Sequence, residues 1–63
     1  MFTLNVTYLT VGNVDILDEF ETLEEAQNKL YELRLRAEKL NLLVGHTQNE
    51  FETLTERYFI GTL

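Results

Sequence analysis

Cysteine, serine, proline and tryptophan are absent from this 63-residue chain, and histidine occurs once, at His46. Without Ser or Cys there is no ordinary hydrolase nucleophile. With one imidazole and no thiolate, the usual four-ligand zinc sites cannot be assembled. The lack of cysteine also removes the disulfides that commonly staple small domains. A single domain of this length buries only roughly 60% of the surface its unfolded chain exposes, so dimerisation or a bound partner is the expected supplement. No segment approaches the roughly 20 consecutive apolar residues of a membrane span. The start, MFTLNVTYLT, lacks the basic residues and cleavage site of a signal peptide. A cytoplasmic protein with no membrane association is expected.

Positive charge is missing from residues 1–28, where Asp15, Asp18, Glu19, Glu21, Glu24 and Glu25 stand with no Lys or Arg. Residues 29–63 carry five acids and five bases, so the whole net charge of −6 arises within residues 15–25. Such a surface repels nucleic acid and anionic membranes and attracts basic protein surfaces.

Residues 2–9, FTLNVTYL, alternate strictly, with Phe2, Leu4, Val6 and Tyr8 on one face, which predicts a half-buried strand. VDILDEF follows as a second extended run. A two-residue Gly12-Asn13 loop would set Val6 against Glu19. A three-residue loop, Thr10 to Gly12 with Gly12 left-handed, instead sets Val6 against Ile16, Tyr8 against Val14 and Phe2 against Phe20, and is preferred because one slip reverses every side chain.

EFETLEE at residues 19–25 and EFETLTE at 50–56 agree in six of seven letters. Their flanks share nothing, which excludes a repeat architecture. In the first copy Thr22 and Glu25 have capping-box spacing, with Glu25 expected to reach back to the Thr22 amide. Behind them Leu23, Ala26, Leu30, Leu33, Ala37, Leu40 and Val44 follow an unbroken 3,4 spacing, the mark of an amphipathic helix. The helix is expected to end near Asn41 or Gly45. In the second copy Thr53 and Glu56 repeat the spacing, but RYFIGTL is aromatic and β-branched. Residues 55–62 are therefore expected to form a strand, paired with 42–46 if that segment is extended. The fold expected for residues 1–63 is one small α+β domain. A β-hairpin plus one or two C-terminal strands packs against one amphipathic helix, in the order ββαβ or ββαββ.

Asp18 with Glu19 or Glu21 is the nearest thing to a catalytic carboxylate pair. In a strand, however, 18 and 19 point to opposite faces, and so short a chain has little room for a water-excluding pocket. The acidic run lacks the spacing of a calcium loop. The chain is thus read as a non-enzyme with no cofactor and no metal site, and His46 as a polar loop residue. Glu24 and Glu25 complement the helix dipole, at about 0.3 to 1 kcal/mol. Asp15, Asp18, Glu19 and Glu21 have no such role, and either guard a sheet edge or, with Glu24, form a surface that docks on a basic protein. Lys29 and Arg36 lie four residues after Glu25 and Glu32, the orientation for helix ion pairs. Arg34 and Lys39 are scattered about the axis, which describes a solvated face rather than a nucleic-acid stripe. Tyr31 and Leu35 fall opposite the apolar stripe, joined by Leu42 if the helix extends so far, and offer a second surface for a partner or for self-association.

In size, acidity and lack of cysteine the whole chain resembles the small accessory proteins that bacteriophages encode, some of which bind and block host enzymes. That resemblance implies a protein-binding module of the inhibitor kind, and the acidic surface directs it at a basic, nucleic-acid-binding partner. The alternative expectation is a structural protein acting through homo-oligomerisation, most simply as a dimer.

Overall fold

A computed structural model describes all of residues 1–63. Two strands, β1 (Phe2–Tyr8) and β2 (Val14–Phe20), precede a helix, α1 (Leu23–Lys39). Three more follow: β3 (Leu43–His46), β4 (Glu50–Thr53) and β5 (Glu56–Thr62). All five strands join one antiparallel sheet in the order β2-β1-β5-β4-β3. The expected α+β architecture holds, with one strand more than expected, giving ββαβββ. The additional strand, β4, is the first half of EFETLTE. It separates β3 from β5, so residues 42–46 pair with β4 rather than with the C-terminal strand.

The core lies between α1 and one sheet face, and every element contributes to it. Leu4, Leu30, Ala37 and Phe51 are buried together, with Phe20, Leu33, Leu43, Tyr58 and Ile60 packed around them. Phe51 and Tyr58 are directly paired across β4 and β5, and their rings stack at 4.6 Å with planes 8° apart. Such a cross-strand aromatic pair contributes about 0.5–1.5 kcal/mol beyond its burial. The molecule is only 15 Å thick along its shortest axis. One helix and one sheet account for that thickness, and the far sheet face is left without a covering layer.

The helix starts as the sequence predicts, with one difference in chemistry. Thr22 Oγ1 accepts the Glu25 amide at 3.2 Å, but the Glu25 carboxylate accepts the Thr22 hydroxyl at 2.9 Å instead of the Thr22 amide. Glu25 is thereby held at the cap, and Lys29 pairs with Glu32 at 3.7 Å rather than with Glu25. The helix stops at Lys39 because Asn41 turns left-handed, with φ 58°, and the Leu42 amide bonds back to the Ala37 carbonyl at 2.9 Å. Of the apolar stripe, Ala26, Leu30 and Ala37 are buried and Leu33 is half-buried. Leu40 and Val44, beyond the last helical residue, are exposed.

The first hairpin corrects the expected register. Gly12 is left-handed, φ 78°, and Phe2 opposes Phe20 as expected. Between those points a bulge in β2 inserts Leu17, so Asn5 opposes Ile16, Thr7 opposes Val14 and Val6 opposes Asp15. One extra residue reverses the faces of the strand's first half. Val14 and Ile16 therefore emerge on the uncovered face, 57% and 55% exposed. On that same face Thr3 and Asn5 are buried, 3% and 6% exposed, on β1, which is paired on both sides by β2 and β5.

The second copy of the repeated letters folds as a turn. Thr53 Oγ1 accepts the Glu56 amide at 3.1 Å and the Thr55 amide at 3.4 Å, and donates to the Glu56 carbonyl at 3.3 Å. The Thr-x-x-Glu spacing makes the same hydroxyl-to-amide cap as Thr22, here closing a hairpin between β4 and β5. Leu9 donates its amide to the Thr55 carbonyl at 2.9 Å, tying this turn to the β1–β2 loop.

Candidate functional site

Strand β2 is an edge of the sheet, flanked by β1 alone. Asp15, Asp18 and Glu19 lie on it, and Glu21 and Glu24 continue onto the start of α1. All five are exposed. The ion pairs of the protein are Lys29–Glu32 and Arg57–Glu50, so none of the five carboxylates is neutralised by a base. Asp18 is the one with a hydrogen bond, accepting the Glu19 amide at 2.8 Å. The bulge mixes this charge with apolar surface, since Val14, Ile16 and Leu17 are exposed between the acids. The acids and apolar side chains thus occupy one continuous strip, with an unpaired strand edge running through it.

Of the second expected surface, Tyr31 and Leu35 share a face, and Leu42, which depended on a longer helix, does not join them. Tyr31 and Leu35 are exposed on the outer side of α1, one turn apart. Leu42 lies beyond the helix end, where it joins Leu33, Ala37, Leu40, Phe51 and Tyr58 around a small apolar cleft. It shares no face with Tyr31 and Leu35. Arg34 also departs from the expected solvated position. It is half-buried, with its guanidinium carbon 4.7 Å from the Tyr31 ring centre and its Nε buried without a hydrogen-bond partner.

Tyr31 and Arg34 form one wall of a groove of about 520 Å³, between α1 and the β3–β4 turn. His46 lies on the other wall. It is the last residue of β3, opposite Phe51, and so projects to the helix side of the sheet rather than lying in a loop. The turn that carries this wall is tied at several points. Gln27 Nε2 donates to Asn49 Oδ1 at 2.8 Å, the Thr47 amide to the Glu50 carbonyl at 2.8 Å, and the Ile60 amide to the Asn49 carbonyl at 3.0 Å. The Tyr31 and Arg34 spacing, three residues apart on one helix, was visible in the sequence. The opposing wall was not, because β4 and its turn carried no strand signal of their own.

One titratable group is perturbed. Burial against the core raises the Tyr58 hydroxyl above its ordinary value, and the negative charge of Glu56 pushes it the same way. No three of the His, Asp and Glu side chains converge where a metal ion could sit. The helix is not long and apolar enough to cross a membrane. Compared with protein-family models, with curated proteins and with solved structures, the chain finds no match.

Proposed function

We propose that this protein is a non-catalytic binding module, acting as an inhibitor of the phage-accessory kind in the cytoplasm, whose acidic strip docks on a basic, nucleic-acid-binding protein. The observation that supports this reading is the strip itself. Asp15, Asp18, Glu19, Glu21 and Glu24 are exposed and unpaired, and they share an edge with exposed Val14, Ile16 and Leu17. Unpaired carboxylates at a sheet edge steer a cationic partner and discourage pairing with a second copy of the same edge. The exposed aliphatic side chains supply the area that holds a partner once it arrives.

The test is capture of binding proteins from source cells on immobilised wild-type protein and on the variant Asp18→Lys, Glu19→Lys, Glu21→Lys. Basic proteins retained by the wild type, released by salt and lost on the variant would support the reading, because contacts between exposed charges are screened by salt. Binding that survives both the charge reversal and high salt would overturn it.

A second reading, self-association, is favoured by the uncovered sheet face, where Val14 and Ile16 flank the polar centre of β1. Tyr31 and Leu35 on the helix are the other candidate contact. Light scattering at high micromolar concentration decides this, since a monomeric mass excludes it. If a dimer is found, Tyr31→Glu with Leu35→Glu separates the two contacts. Dissociation without unfolding assigns the helix, and an intact dimer assigns the sheet face.

A further inference from the structure

We propose that the groove between α1 and the β3–β4 turn binds a small organic monocarboxylate with a planar body, its carboxylate seated on Arg34. The charge around the groove is the first reason. In a chain of net charge −6, Glu50 is the one acid that lines it, and its carboxylate is turned to the uncovered sheet face, where Arg57 engages it at 2.7 and 3.3 Å. The other polar lining side chains, Gln27, Asn28, Arg34, His46, Thr47 and Gln48, can all present hydrogen-bond donors. A site rich in donors, with its acid already neutralised, is complementary to an acceptor ligand.

The state of Arg34 is the second reason. Of the five bases, Lys29 and Arg57 are ion-paired and Arg36 and Lys39 are exposed on the helix. Arg34 alone is half-buried and unpaired, with its guanidinium laid against Tyr31. The Tyr31 ring fixes the plane of the guanidinium, so little side-chain freedom remains to be lost on binding. Its Nε is buried without an acceptor, so a ligand meets the guanidinium through its outer Nη groups, which make no hydrogen bond within the protein.

Size, shape and overall charge narrow the ligand class. A volume of about 520 Å³ falls within the span of small-molecule sites, roughly 300–1,000 Å³. The apolar lining is Leu30 and the Tyr31 ring, which suits a flat apolar body beside the carboxylate. A planar guanidinium matches a planar carboxylate through two parallel hydrogen bonds. A doubly charged phosphate would leave its second charge unmatched by one guanidinium and meets more repulsion from the −6 background.

The experiment is a titration of ¹⁵N-labelled protein followed by NMR, reading the Arg34 Nε–H signal and the amides of residues 46–48. Sodium benzoate is the probe, benzamide the uncharged isostere and inorganic phosphate the competing anion, all at constant ionic strength. Saturable shifts with benzoate in the millimolar range, and weaker ones with benzamide and phosphate, are expected. Arg34→Gln should weaken benzoate about tenfold, and Arg34→Lys by less, because a lysine keeps the charge but not the fork. Equal responses to benzoate and benzamide, or a stronger response to phosphate, would overturn the assignment on the wild-type protein alone, whether or not the variants fold. So would unchanged benzoate affinity in a folded Arg34→Gln protein.

Discussion

Replacing Gly61 by alanine tests the packing of the uncovered sheet face. Gly61 lies opposite Thr3 on β5, diagonal to Asn5. A Cβ at position 61 would stand 2.7 Å from Asn5 Nδ2 and 3.1 Å from Thr3 Oγ1. The first distance is well inside contact, and Asn5, being buried, has little room to turn away. Overpacking of this kind costs about 1–3 kcal/mol. Against it stands the smaller entropy of an unfolded chain bearing alanine, worth about 0.4–1 kcal/mol. Gly61→Ala should therefore lose about 1–2 kcal/mol. For a domain of this length, whose total stability is about 3–9 kcal/mol, that is a large share. In an Asn5→Ala background the 2.7 Å contact no longer exists, and the same substitution should become neutral or slightly stabilising. Urea denaturation of the four proteins, followed by circular dichroism, gives the coupling energy directly. Additive effects, with no coupling between positions 5 and 61, would refute the close approach.

Three further outcomes follow, two from the hydroxyl caps and one from the Tyr58 hydroxyl. Thr53→Val keeps the side-chain shape but removes three hydrogen bonds at a buried turn, so it should cost about 1–3 kcal/mol in urea denaturation. Thr22→Val, at an exposed helix start, should cost about 1 kcal/mol, and a larger loss at 22 than at 53 would contradict the burial argument. Tyr58 titrates above its ordinary value in the folded state, so the folded protein holds that proton more tightly than the unfolded chain. Its contribution is fully present below the unfolded tyrosine value of about 10 and is lost as pH rises through the higher folded value. The urea midpoint should fall more steeply above that pH in the wild type than in Tyr58→Phe, and parallel falls would remove Tyr58 as the cause.

Elements whose information is local were legible in the sequence. Alternation over residues 2–9 placed β1, and the 3,4 spacing behind Thr22 placed α1 and most of its buried face. Asn41 stops the helix at a position the sequence had offered as one of two. What failed was the part decided by pairing partners. The inserted Leu17 in β2 has no local signature, because VDILDEF reads equally well with or without a bulge, and yet it sends Ile16 and Val14 to the opposite face. Strand β4 was hidden for a related reason. Four residues with two glutamates carry little strand propensity, and EFET is extended because Phe51 stacks on Tyr58 and Thr53 closes the following turn. The acidic surface was legible as composition, whereas its mixture with exposed aliphatic side chains depends on the bulge. The groove depends on a hairpin turn the sequence did not announce, so only its helical wall could have been named in advance.

The fold also separates what the linear charge distribution runs together. Counting along the chain, the second half is neutral, with five acids and five bases. In three dimensions Glu50 and Arg57 cancel on the uncovered sheet face, and Lys29 and Glu32 cancel on the helix. The bases left over, Arg34, Arg36 and Lys39, all lie in the last two turns of α1, where Glu38 is the one acid. The unpaired acids of residues 15–24 lie along β2 and the first helical turn. The molecule is therefore polarised along the helix, in the sense that complements the helix dipole at both ends. A basic macromolecule approaching the β2 edge and a small carboxylate approaching Arg34 would meet opposite potentials at different places. Charge reversal at Asp18, Glu19 and Glu21 should leave benzoate titration of the groove nearly unchanged at moderate salt, where the Debye length is about 8–10 Å. A large gain in benzoate affinity on that reversal would mean that the two surfaces share one field, and that the acidic strip acts on ligands of the groove as well as on protein partners.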